Sequence, residues 1–297
     1  MQLGEFGLWT VYRAIGEENA GEAARLAEEL GYGTFWLGGS PQLPSVRPLL
    51  AGSGRLTVAT GIVNVWQYQG GAAGRQAGEP GPPAAISGPA KLAAEHAALT
   101  AEFPGRLLLG IGIGHREHTL QYASPLATMR AFFDGLDAAP TPVPREERCA
   151  AALGPKMLDL VGERSLGTHP YFTPVEHTRF CRARLGPDAL VAPELACVLD
   201  SDPDRARATA RRYAELYLGL SNYTGNLQRL GYSEQDLANG GSNRLIDAVV
   251  PHGDAQAIAE VARAHLDAGA DHVCLQPLGT RGVPRREWTE LAAALGL

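Results

Sequence analysis

Residues 107–115, LLLGIGIGH, set three glycines at alternate positions, Gly110, Gly112 and Gly114, and place His115 directly after them. An imidazole titrates near neutral pH and can hold or release a proton, so His115 is the first candidate for acid–base work. His169, at the end of a later extended stretch, is the second. Leu153, Gly154, Pro155, Lys156 and Met157 form a short loop that runs into a helix. Backbone amides at such a helix start, aided by the helix dipole, suit an anion, and Lys156 can add charge. Trp9, Ser40, Trp66 and Tyr68 stand at or near strand ends, where they either wall a substrate pocket or belong to the core. His115 and His118 form an HxxH pair. With no carboxylate set beside them and no HExxH, no metal site is expected.

The glycine run is GxGxG rather than GxGxxG, and it follows the fourth predicted strand. A dinucleotide fingerprint belongs at the first βα turn, with an acidic residue about 20 positions further on, which is missing here. Alternating glycines leave bare backbone on one face of a strand. That either makes room for a flat ligand or marks a tight bend in a barrel. Gly38 and Gly39 end the second predicted strand and Gly61 lies in the third, so three neighbouring strands open the same rim.

The elements that must position these residues read as strands over 6–11, 34–39, 56–66, 106–114, 147–154, 168–173, 191–199 and 272–278. Amphipathic helical patterns separate them. Eight strands in β-α alternation over 297 residues predict an α/β fold, a (β/α)8 TIM barrel of one domain spanning residues 1–297. A doubly wound open sheet is the competing architecture. Residues 69–88, QGGAAGRQAGEPGPPAAISG, hold six glycines and three prolines and read as a flexible insertion after strand three, either disordered or a lid.

Apolar residues make up 45% and charged residues 20%, and the net charge of −6 leaves no basic footprint for nucleic acid. Four scattered cysteines without a CxxC pair suit a reducing compartment. The N-terminus lacks a secretory pattern, and no run approaches the ~20 apolar residues of a membrane span. A cytoplasmic protein is expected.

Several blocks carry a family resemblance: FWLGGSPQ (35–42), VATGIVNVWQ (58–67), AAEHAALTAEFPGRLLLGIGIGH (93–115), ALGPKMLDL (152–160), GTHPYFTPVEHTRF (167–180), NRLIDAVVPHG (243–253) and AGADHVCLQPLG (268–279). In these the chain resembles the luciferase-like monooxygenase superfamily, in its branch that uses the deazaflavin coenzyme F-420. The resemblance implies a (β/α)8 barrel with the deazaflavin across the carboxyl ends of the strands, and a homodimer. It further implies a non-prolyl cis peptide behind the ring, which falls on Gly61-Ile62 with Asn64 nearby. Gly38, Gly39, Gly112, Gly114 and His115 match the cofactor rim, and Leu153 through Met157 match the phosphate-binding turn.

The sugar-phosphate dehydrogenases of that superfamily carry an acidic residue and a histidine after strand two and a glutamate after the strand-four glycines. Here Gly39, Ser40 and His115 stand in those places, so that chemistry is not carried over. The expected activity is hydride transfer between coenzyme F-420 and an unidentified small organic substrate. Tryptophans and tyrosines near the strand ends lean towards an apolar or aromatic compound. An FMN-dependent monooxygenase using dioxygen and a catalytically inactive cofactor-binding protein are the alternatives.

Overall fold

The computed structural model describes residues 1–68, 88–118 and 124–297. The predicted insertion at 69–88 therefore lies outside the described residues, apart from Gly88, which opens the helix Gly88–Glu102. Among the described residues ten short strands form one sheet: β1 (Phe6–Thr10), β2 (Thr34–Gly38), β3 (Thr57–Gly61), β4 (Val63–Asn64), β5 (Leu107–Gly112), β6 (Arg148–Ala150), β7 (Gly167–Thr168), β8 (Leu190–Val191), β9 (Glu194–Cys197) and β10 (Val273–Pro277). All pair in parallel, as strands joined by helical crossovers must.

The hydrogen-bonded order is β8-β7-β6-β5-β3-β2-β1-β10-β9, with β4 beside β5. This corrects the closed eight-stranded barrel expected from the sequence: the sheet is curled, and its ladder is an open path. Its two ends are consecutive pieces of one segment, interrupted at Ala192-Pro193. Proline has no N–H to give a ladder, which is why the predicted strand 191–199 splits there. On one side of the break Ala192 N–H donates to the Thr168 carbonyl; on the other, Cys274 N–H donates to the Pro193 carbonyl.

Other predicted strands are also shorter than expected, the fifth keeping only Arg148–Ala150. The sixth stops at Thr168, because Pro170 follows and Phe172 takes φ 52. The third breaks after Gly61 at the Gly61-Ile62 peptide, which is cis.

Because helices cover the outside and side chains fill the inside, the strands are buried on both faces. Leu8, Phe35, Val58, Leu109 and Leu275 pack outward under the helices. Trp9, Trp36, Ala59, Leu108, Cys149, Ala192 and Cys274 fill the concave interior. A third cluster lies over the carboxyl ends of β7 and β9, where Phe172 meets the helix Pro203–Leu218 through Tyr217 and the helix Ser221–Arg229 through Tyr223. The first of these helices is started by Asp202, whose side chain accepts from the amides of Asp204 and Arg205.

Candidate functional site

The glycines at the strand ends make room first for the protein's own side chains. A Cβ at Gly38 would run into the ring of Trp9, which lies across the ends of β2 and β3. A Cβ at Gly61 would lie 2.5 Å from Trp9 Nε1 and 2.9 Å from His169 Nε2. On β5, Gly110 leaves space for the Thr60 carbonyl, and Thr60 Oγ1 bonds both the amide and the carbonyl of Gly110 at 2.8 Å. At Gly112 a Cβ would lie 2.8 Å from Ile62 Cδ1, and at Gly114 2.8 Å from Asn64 Nδ2. The alternating glycines thus seat the 60–64 segment, with its cis peptide, against β5. Space that the sequence reading gave to a flat ligand is used one layer lower.

Trp9 and His169 are both buried, and Trp9 Nε1 and His169 Nε2 have no hydrogen-bond partner among the described residues. His169 Nδ1 sits 2.7 Å from the Ala192 carbonyl, so it carries the proton and Nε2 presents a lone pair. Burial pushes the His169 pKa down to about 4, against the Ala192 bond, which keeps the ring neutral. The ring stacks on Trp36 at 4.1 Å and 14°, and Trp36 in turn donates its N–H to His272 at 3.0 Å. A neutral acceptor and an indole donor therefore face the same glycine from β1 and from the segment after β7.

The predicted anion turn opens the helix Pro155–Arg164, with Gly154 at its N-cap and no side chain capping it. Pro155 has no N–H, and the Met157 and Leu158 amides turn back to the Gly154 carbonyl at 3.1 and 3.0 Å, so of the first turn the Lys156 amide is left for an outside acceptor. The Lys156 side chain is exposed beside it. Sequence reasoning missed Arg229, whose Nη2 reaches the Leu153 carbonyl at 3.4 Å and Asn226 Oδ1 at 3.0 Å. Desolvation lowers the Arg229 pKa, and its position on a distant helix left no local signal.

His115 follows Gly114, whose φ of +67° turns the chain, and its ring lies 5.6 Å from that of Tyr223. The loop that carries it is tied down by Glu117, which accepts from the Ser221 amide at 3.0 Å and the Ser221 hydroxyl at 2.8 Å. These bonds, with His115 a smaller contributor, hold the Glu117 carboxyl at a pKa of about 2. The loop after β5 is thereby docked on the start of the helix Ser221–Arg229. The side chain of His118 lies outside the described residues, and no metal-binding group of three or more ligands occurs among those described.

The remaining predicted residues divide. Trp66 donates its indole N–H to the Ile113 carbonyl at 2.6 Å, bridging the ends of β4 and β5. Ser40 takes φ 54 just beyond Gly39, at φ 80. Tyr68 is not brought to the mouth: it is buried in the outer core, where its hydroxyl donates to Glu95 and accepts from the Leu43 amide.

A second group that sequence reading missed gathers around Glu194 on β9, which is 1% exposed. Tyr171, Phe172, Tyr213, Tyr217 and Tyr223 form a continuous aromatic cluster there, and Tyr171 also packs on Trp9 at 5.0 Å. The tyrosines of the helix Pro203–Leu218 sit at ordinary helical spacing, indistinguishable in the sequence from a core stripe.

No family profile and no curated protein matches the chain. Solved structures do. An F-420-dependent secondary alcohol dehydrogenase in complex with an F-420–acetone adduct superposes with a TM-score of 0.71 at 14% identity, covering 99% of each chain. The coenzyme F-420-dependent tetrahydromethanopterin reductase of Methanopyrus kandleri superposes at 0.66 and 14% identity, over 99% of this chain and 98% of that one. The oxygenating constituent of 3,6-diketocamphane monooxygenase from Pseudomonas putida, in complex with FMN, gives 0.62 at 12%, over 98% and 96%. The chain shares the fold of these three structures. Within this fold, the chain sets Trp9, His169, the glycine-seated 60–64 segment and the start of the helix Pro155–Arg164 at the carboxyl ends of the strands.

Proposed function

We propose that the chain is an oxidoreductase that moves a hydride between coenzyme F-420 and a small apolar or aromatic organic compound. The observation that carries this reading is the pair of buried, unpartnered nitrogens, Trp9 Nε1 and His169 Nε2, facing Gly61 at the mouth of the sheet. An unpaired buried donor and acceptor are costly to leave unmet, and they suit a ligand that offers both a lone pair and a proton. Two solved structures of the same fold are F-420-dependent by description, which supports the choice of cofactor. We read the curled sheet as a barrel-type platform for it, supported by the single segment 190–197 that serves both ends of the ladder.

The residues present fit such a cofactor. The Lys156 amide, with the Lys156 and Arg229 side chains, would hold its phosphate. Gly38, Gly39, Gly61, Ile62, Asn64, Gly112 and Gly114 would form the rim beside its ring. When bound, the deazaflavin supplies the hydride chemistry. His115 holds or releases the accompanying proton at its imidazole, and His169, neutral through burial, is a second acceptor. Trp9, Ser40 and Trp66 border the substrate, and the tyrosine cluster excludes water from it. A homodimer belongs to the same proposal.

The FMN complex of a protein with the same fold favours a second reading, an FMN-dependent monooxygenase. Titration of the purified protein with each cofactor, followed by the visible absorbance of the bound form, separates the two. Stoichiometric binding of F-420 with hydride transfer to or from a screened substrate supports the first reading. Binding without any turnover would leave a cofactor-binding protein.

A further inference from the structure

We propose that the side-chain amide of Gln276 is a substrate contact of this site, donating a hydrogen bond to the carbonyl oxygen of a small uncharged ketone or aldehyde. The proposal rests on the reading of the mouth as a substrate pocket and adds the chemical group that the pocket recognises.

Gln276 stands near the carboxyl end of β10. The ladder to β1 pairs Gly7 with Cys274 and Leu8 with Leu275, so the next residues along, Trp9 and Gln276, come side by side. Side chains alternate across a strand, and Cys274 fills the concave interior. Gln276, two residues on, therefore enters the same interior one step nearer the mouth. On its other side it pairs with Ala196 of β9, a small neighbour. Inward positions at the carboxyl ends of the strands are where barrel-type sheets meet their ligands.

One end of the amide is committed. The Tyr171 hydroxyl donates to Gln276 Oε1 at 2.8 Å, and Tyr217 donates to the Tyr171 hydroxyl at 3.3 Å. Because Tyr171 accepts from Tyr217, its own proton needs an acceptor, and the oxygen end of the Gln276 amide must face it. The Tyr171 ring packs on Trp9 at 5.0 Å, which fixes the position of that hydroxyl. The Nε2 end is different: it has no hydrogen-bond partner among the described residues, and Gln276 is only half-buried. The glutamine is thus anchored at its acceptor and open at its donor. Packing alone would need only the first.

The neighbours of Gln276 select the acceptor. Tyr171, Ala196 and Trp9 carry no charge. None of them offsets the desolvation of a carboxylate, whereas a neutral carbonyl oxygen matches a neutral N–H. Trp9 supplies an aromatic wall beside it.

NMR of the side-chain amides in the purified protein tests this without cofactor or turnover. The probes are acetophenone and α-methylstyrene, which share a shape and differ in the carbonyl oxygen. Gln276→Glu, studied near pH 8 where an ordinary carboxyl is ionised, keeps an oxygen for the Tyr171 hydroxyl and takes away the donor. Gln276→Met removes both and is the second variant if the first does not fold. In the wild type, acetophenone should shift the Gln276 amide resonances, which the variants identify by losing them. It should also bind roughly three- to tenfold more tightly than α-methylstyrene. Either variant should bring the two affinities to within about twofold and leave α-methylstyrene binding unchanged. Equal affinities in the wild type, no binding of acetophenone, binding without an amide shift, or a ketone preference that survives in Gln276→Glu would overturn the proposal. Failure to bind F-420 would instead overturn the functional reading, and the amide shifts would still decide whether Gln276 meets the carbonyl.

Discussion

The indole N–H of Trp9 and Nε2 of His169 converge on one face of Gly61, and neither has a partner among the described residues. One comes from β1 and the other from the segment after β7, so the curl of the sheet alone brings them together. Trp9→Phe removes the unmet donor together with part of the indole ring that lies against Gly38, so its unfolding free energy in urea should fall by about 1–3 kcal/mol for the lost packing. Substrate KM should rise. An unchanged KM would leave the indole N–H without a part in binding.

Lys156 and Arg229 stand at the uncapped start of the helix Pro155–Arg164 from two different elements. A hydrogen bond to a charged group is worth about 1.5–3 kcal/mol, so Lys156→Ala and Arg229→Ala should each weaken F-420 binding by roughly ten- to a hundredfold. Isothermal titration checks this. Unchanged affinity in both variants would remove the phosphate from this helix end.

Five histidines, His96, His169, His177, His265 and His272, have their pKa values pushed down to about 4, chiefly by burial. In the unfolded chain they titrate near 6.5. Between about pH 6.5 and pH 4 the unfolded state therefore binds protons that the native state does not, and stability falls as the pH falls. Their contribution is complete above the unfolded value. Each histidine contributes up to about 1.4 kcal/mol per pH unit in that window. Urea unfolding at pH 7, 6 and 5 should show a steep decline, and a flat profile would contradict the neutral, buried assignment.

His115 should matter for rate more than for binding. It leaves the backbone beside the rim glycines, and the Glu117–Ser221 bonds hold its loop in place. General acid–base help is worth about 10²–10⁴-fold, so His115→Ala should lower the single-turnover rate by that order with little change in cofactor affinity. Equal losses in rate and affinity would make it a cofactor anchor instead.

The α/β alternation, the strand positions and the Gly154-Pro155-Lys156 helix start were legible because each depends on local patterns. The breaks were not. Pro193 and Pro170 lie inside apolar runs that read as continuous strands, yet their missing N–H groups end the ladders there. The glycines were legible as bare backbone but not as what fills it: Trp9, Ile62 and Asn64 arrive from neighbouring strands. Glu194 stands between Pro193 and Leu195 with nothing in the sequence to mark it. Only the fold surrounds it with the Phe172 amide and the Tyr213 hydroxyl. Arg229 is likewise separated from Leu153 by a long stretch of chain.

The central claim is that this mouth binds a deazaflavin for hydride transfer, and equilibrium titration of the purified protein with F-420 and, separately, with FMN tests it most directly. The account predicts saturable, one-to-one binding of F-420, weakened by Lys156→Ala and Arg229→Ala and preserved in His115→Ala. Tight one-to-one binding of FMN with none of F-420 would contradict it.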